Sequence, residues 1–239
     1  MNARLWINNI HGIPCHNCQI GKMNWPSKDR IIATETLGSL MDNEYHRKGV
    51  VFPYSTTFVS VHLKCDHCND VMLAAYRRTD DVRHVDNEGN EVAVYDVLFF
   101  DPPPNIIPIP ESCTKDLQDL IIKSFTLFWI DLNSCVNKIR IALEVLMDHV
   151  GIPGKDVNGK FIPLGNRLEE YKKTNSKLGE FLTAIKWIGN ASSHASGNTK
   201  EAVLDVYELL EYVLEQIFPD REDRLSKLSD RINTNKGHV

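Results

Sequence analysis

The chain has no uninterrupted apolar run of about 18 residues, the length a membrane-spanning helix needs, so no membrane association is expected. It has no excess of positive charge: 27 Lys and Arg stand against 32 Asp and Glu, a formal net charge of −5. This argues against broad, nonspecific coating of DNA, which wants a basic surface, while leaving room for a local basic cleft. The first residues, MNARLWINNIHG, lack the apolar core and small-residue cleavage site of a secretory leader, and a cytoplasmic location is expected. In a reducing compartment, closely paired cysteines read as metal ligands rather than disulfides. What the chain does have is 239 residues, 42% of them hydrophobic, enough for one real core or two small ones.

Two C-x-x-C motifs stand out: Cys15-His16-Asn17-Cys18 and Cys65-Asp66-His67-Cys68, with 46 residues between them. Each can form a knuckle, a tight turn that aims two thiolates at one point, and two knuckles supply the four soft ligands that tetrahedral Zn²⁺ prefers. The long intervening loop raises the closure cost only logarithmically. The zinc is expected to be structural, because four thiolates leave no open position for water. A redox role is the alternative, but neither motif opens a helix that would depress a thiol pKa. His16 and His67 are expected to face solvent. Phe58 to Leu63 alternates and leads into the second knuckle, and Val71 to Tyr76 leads out. Asp86 to Asn90 reads as a turn, and Val92 to Phe100 as a further strand. Strand, knuckle, strand builds a zinc-ribbon-like β domain with little core of its own, for which the metal would substitute. Residues 22 to 56 read as an inserted loop with a short helix near Glu35 to Met41, packed over the ribbon or contacting a partner.

Asp101-Pro102-Pro103-Pro104 and Ile107-Pro108-Ile109-Pro110 form the sharpest break in composition, and a domain boundary is expected there, dividing residues 1–110 from 111–239. Beyond it the apolar period changes from two to about 3.6. Leu117, Leu120, Ile121, Phe125 and Phe128 share a stripe that Val136, Ile139, Leu143, Leu146, Met147 and Val150 continue. This is one long helix, or two with a break near Asp131-Leu132-Asn133. Cys113 and Cys135 have no cysteine partner nearby in sequence and read as ordinary apolar thiols. Shorter helices follow at Leu164 to Tyr171, then after the capping pair Asn175-Ser176, then after Asn198-Thr199, with Pro219 ending the last long one. Arg221 to Lys236 reads as a solvated helix or a fraying tail. The whole is an α+β chain: a small N-terminal β domain, then an antiparallel α-helical bundle.

Between two of these helices lies Ile185 to Ala195, IKWIGNASSHA. Gly189 is expected to stop the first helix as a left-handed C′ residue. Asn190, His194 and, one turn upstream, Lys186 then gather at the corner. Such a group is either helix capping or a site.

Arg140-Ile141-Ala142-Leu143-Glu144 on the long helix and Ile188-Gly189-Asn190-Ala191-Ser192-Ser193-His194 at the corner resemble the bacterial 4145 family of domains of unknown function, placed near the HEPN superfamily of helical bundles. That family also tends to carry an N-terminal knuckle pair. The resemblance implies an HEPN-like bundle and association with prokaryotic antiphage defence. Many relatives in the superfamily are metal-independent ribonucleases, acting as dimers with a shared cleft. Their signature is an Arg with a His four to six residues on. Here no Arg stands in that position before His194, and Lys186 is the nearest upstream cation.

If the site works, His194 would serve as base or acid near neutral pH. Asn190 would orient the phosphate or the ring, and Lys186 or Arg140 would stabilise the transition-state charge. The expected partners are then a second copy of the chain, held through the helical bundle, an RNA or nucleotide ligand, and a defence-system protein. The alternative is a non-catalytic module, in which the zinc part binds nucleic acid or a partner effector.

Overall fold

In the computed structural model the chain divides into two compact units, Asn2–Asn105 and Ile106–Val239. The structure describes residues 12–27, 31–41, 54–81, 93–191 and 198–235; the turn expected at Asp86 to Asn90 lies outside them.

The N-terminal unit is an antiparallel sheet. Its strands are β1 (Ile13–Pro14), β2 (Lys22–Asn24), β3 (Ile32–Glu35), β4 (Tyr54–Cys65), β5 (Val71–Asp81) and β6 (Val94–Asp101). The order is β1-β2-β4-β5-β6, with β3 paired to β4. The period of two in β4 sends Val59, Val61, Leu63 and Cys65 inward and leaves Phe58, His62 and Lys64 outward. The register sets Val61 opposite Ala74 and Leu63 opposite Met72, all four buried. Tyr76 completes this face, stacked on Trp25 with centroids 5.3 Å apart and edge-on to Phe100 at 5.9 Å. The sheet therefore has a core of its own, larger than a lone strand–knuckle–strand unit would bury.

The segment expected as an inserted loop instead contributes β2 and β3 to the sheet. Met23, the one inward side chain of β2, pairs with Cys65 and is fully buried. Residues 37–41, at the edge of the described stretch, form a helical turn, α1. Buried Ser39 fastens it, its hydroxyl donating to Glu35 Oε1 at 2.5 Å and accepting the Thr56 N–H at 3.1 Å.

The second unit is helical: α2 (Lys115–Ile130), α3 (Leu132–His149), α4 (Leu164–Thr174), α5 (Ser176–Ala191), α6 (Lys200–Ile217) and α7 (Asp220–Thr234). Asp131 divides α2 from α3. Its backbone is extended, at φ −155°, and its carboxylate accepts the N–H groups of Asn133 and Ser134 at 2.9 and 3.2 Å as the α3 N-cap. Hydrogen bonds from Ser134 hold this carboxyl below its ordinary pKa. Asn175 caps α5 by accepting the Leu178 N–H, and Thr199 caps α6 through Ala202. Apolar stripes meet in a core of Leu117, Ile121, Phe125, Ile139, Leu143 and Leu210. One polar thread crosses it. Cys135 Sγ lies 3.2 Å from the Tyr207 hydroxyl, which donates to Ser124 Oγ at 2.8 Å, which donates to the Ile121 carbonyl at 2.6 Å. Every polar atom of that thread has a partner, so its burial carries little penalty.

Gly189 does not end its helix, since α5 runs on to Ala191. A Cβ built there would stand 3.6 Å from Val136 Cγ1 and 3.9 Å from Arg140 Cβ and Cδ, so the glycine faces α3 at close range.

Arg167 on α4 is 2% exposed. Its Nε donates to the Ile152 carbonyl at 2.9 Å, and its Nη2 reaches the Glu144 carbonyl at 3.0 Å and Asp148 Oδ1 at 2.6 Å. It ties α4 to the last turns of α3 and to the loop that follows them. Arg167→Met is expected to destabilise the helical unit by about 3 kcal/mol, because two main-chain carbonyls and Asp148 lose a buried, charged donor. Asp148→Asn, at a half-exposed carboxylate, should cost well under half of that. Urea midpoints of the helical circular dichroism would show the order, and equal midpoints for wild type and Arg167→Met would refute it.

Candidate functional site

Both C-x-x-C motifs form hairpin tips. Cys15 to Cys18 lies in the turn between β1 and β2, and Cys65 to Cys68 opens the turn between β4 and β5. Pairing of β2 with β4 sets the tips side by side. The residue after each second cysteine has left-handed backbone, Gln19 at φ 55° and Asn69 at φ 63°, so the two knuckles share one local geometry. The four Sγ atoms all lie within 4.8 Å of one another. Cys15 and Cys68 approach to 3.6 Å, Cys18 and Cys65 to 3.7 Å. Cys15 and Cys65 are buried, Cys18 and Cys68 partly exposed.

Main-chain donors surround these sulfurs. The N–H groups of His67 and Cys68 both lie 3.4 Å from Cys65 Sγ, and that of Gly21 lies 3.4 Å from Cys18 Sγ. Hydrogen bonds from Gly21 and Ile20 bring the Cys18 thiol down to about 6, whereas burial pushes Cys15 up to about 12. Cys18 thus ionises more readily than Cys15, which would need a cation to become a thiolate. The arrangement can hold a metal ion through four sulfurs, with no position left over for a substrate.

Three neighbours escaped the sequence reading. Gly21 is where the knuckles touch: a Cβ there would fall 2.5 Å from Cys65 Sγ, 2.6 Å from Asp66 Oδ1 and 2.7 Å from His67 Cβ. Asp66 Oδ1 accepts the Lys22 N–H at 2.8 Å, binding the second knuckle to β2, and this bond lowers its pKa. Asp70 meets His16, Oδ2 to Nε2, at 3.1 Å. His16 is accordingly not solvent-facing as expected. Its side chain is 15% exposed, and Asn105 Nδ2 donates to its carbonyl at 3.2 Å. His67 is exposed, as expected. A glycine three positions after Cys18 was the available signal for the close approach.

In the helical unit, Arg140 on α3 packs against Gly189, the residue before Asn190, and its buried Nε has no hydrogen-bond partner among the described residues. Lys186 reaches elsewhere. Its Nζ lies 3.2 Å from where a Cβ on Gly165 would stand and 4.5 Å from the Trp187 ring centroid. Asn190 falls in the last turn of α5, and its side chain lies outside the described residues, as does the whole of His194. Of the expected set, the structure places the Arg140 stem, Cβ to Cδ, beside Gly189 of α5 and sets the Lys186 ammonium against the first turn of α4.

Residues 123–235, nearly half of the chain, match the family model described as Domain of unknown function (DUF4145). No curated protein and no solved structure matches the chain.

Gly21→Ala is expected to lower metal affinity at least tenfold, since the added carbon collides with a ligand sulfur and with the Asp66 bond that aligns it. Competition with a chromophoric chelator measures this. Wild-type affinity in the variant would show that the knuckles do not meet at Gly21.

Proposed function

From the premise that the helical unit carries a DUF4145 domain, we propose that the protein is a prokaryotic antiphage-defence factor with an HEPN-like bundle. In this reading it is a metal-independent endoribonuclease that works as a cytoplasmic homodimer. The observation that carries the reading is Arg140. The motif lacks a local arginine before His194, yet α3 brings the Arg140 stem against Gly189, with a buried Nε–H that has no partner among the described residues. An unmatched charged donor beside Asn190 suits a phosphate, whose oxygens accept from a planar fork.

The chemistry follows from these groups. His194 takes the proton of a ribose 2′-hydroxyl, the freed oxygen attacks the adjacent phosphorus, and the bond to the 5′-oxygen breaks. A second imidazole, from the other protomer, returns a proton to that leaving oxygen. Arg140 bears the extra negative charge of the pentacovalent state, and Asn190 holds the phosphate in line. The products are a 2′,3′-cyclic phosphate and a 5′-hydroxyl. Lys186 is left to bind the substrate farther along.

The knuckle metal is proposed to be zinc. A tetrahedron with Zn–S bonds of about 2.3 Å has edges of about 3.8 Å, and the two closest sulfur pairs, at 3.6 and 3.7 Å, fit it. Its role is to hold the sheet. A second reading is favoured by the outer face of that sheet, where Ile32, Phe58 and Val71 are 69%, 51% and 46% exposed. Such a face suits a non-catalytic module that docks nucleic acid or a partner effector.

Incubation with RNA in EDTA separates the two. Cleavage that persists, leaves cyclic phosphate ends and falls at least a hundredfold in His194→Ala and in Arg140→Ala is the expected result. Retained RNA or partner binding without any cleavage would replace the nuclease with the docking module.

A further inference from the structure

Gly154 to Ile162 forms a tight hairpin ahead of α4, closed by the Ile162 N–H on the Gly154 carbonyl at 2.8 Å. Asp156, its only carboxylate, is occupied within the turn, where Oδ1 accepts the N–H groups of Asn158 and Lys160 at 2.8 and 2.9 Å. The hairpin exposes Lys155 and Lys160 together with Phe161, whose ring is 61% exposed. Four residues on, Gly165 in the first turn of α4 meets the Lys186 ammonium. That ammonium also lies over Trp187, an indole 60% exposed on α5. The first turn of α4 has no acidic residue, and α5 carries no carboxylate after Glu180. Two large aromatic rings thus stand in water, Phe161 on the hairpin with Lys155 and Lys160 and Trp187 under Lys186. The two carboxylates at the hairpin, Asp156 and Asp148, are engaged with main-chain N–H groups and, for Asp148, with Arg167.

We propose that this surface binds single-stranded RNA, Trp187 and Phe161 stacking on bases while Lys155, Lys160 and Lys186 contact the phosphates between them. Rings with one open face accept any base, and ammonium groups track a flexible backbone, so recognition is of the single strand rather than of a sequence. Trp187 is one helical turn from Asn190, so a strand held here continues to the corner of α5. The inference rests on the reading of RNA as the substrate of that corner and extends it to the substrate's form.

The test uses the full chain, EDTA and a fluorescently labelled oligouridylate, with binding by anisotropy and cleavage by gel read separately. Trp187→Ala is expected to weaken binding about tenfold, Trp187→Phe to restore most of it, and Phe161→Ala to weaken it several-fold. Lys186→Gln should reduce the slope of log affinity against log salt by about 0.7, the increment of one phosphate on a single strand. All three side chains are at least partly exposed, and unchanged circular dichroism would confirm folding. Failure of the wild type to bind, or variants that bind as tightly as the wild type, would overturn the platform, and RNA cleavage by those same variants would leave the nuclease standing. Binding that depends on Trp187 without cleavage would support the platform and end the nuclease.

Discussion

Four sulfur atoms drawn to one point are the constraint on which the N-terminal unit depends. β1 and β2 are only two and three residues long and pair through two registered positions. Strands that short cannot hold themselves together in water. β4 and β5 can, with twelve and eleven residues and a buried face of their own. The thiolates join the weak hairpin to the strong one, and Gly21 and Asp66 make the junction close enough for all four sulfurs to share a ligand. A metal there replaces the apolar area that five residues of strand cannot bury. The sheet beyond the knuckles has no such need, because Val61, Leu63, Met72 and Tyr76 already form its interior.

The helical unit is fastened by other means. Its core is apolar, but its junctions are polar and satisfied: Asp131 between α2 and α3, Arg167 at the end of α3, and Ser112, whose N–H and hydroxyl both donate to Asp220 at the start of α7. Against that background an orphaned Nε on Arg140 is an exception, and exceptions to hydrogen-bond satisfaction call for a reason. The proposed phosphate supplies one. The same proposal separates the two cations, with Arg140 assigned to the corner and Lys186 to the approach to it.

Much of this was legible in the sequence because the relevant physics is local. Thiolate spacing, the alternation of Phe58 to Leu63, the helical stripes and the polar break at Asp131 need no tertiary information. What was hidden depends on neighbours distant in sequence. β2 and β3 show little alternation, one buried residue between them, so they read as loop until β4 is present to pair with them. Gly189 looked like a stop because glycine usually is one, whereas α5 runs through it to Ala191 along the face of α3. His16 looked exposed between two cysteines, whereas its partner Asp70 comes from the opposite knuckle. Arg167 sits in a charged stretch that reads as surface, and only the end of α3, some twenty residues earlier, buries it.

The junction of the two hairpins depends on the atom at the centre of the knuckles. X-ray absorption at the zinc edge of the purified full-length protein measures it directly. The expected spectrum is a single shell of four sulfur scatterers at about 2.3 Å, one metal per chain. A shell of nitrogen or oxygen, or a β1–β2 hairpin that stays paired to β4 with no metal bound, would contradict it.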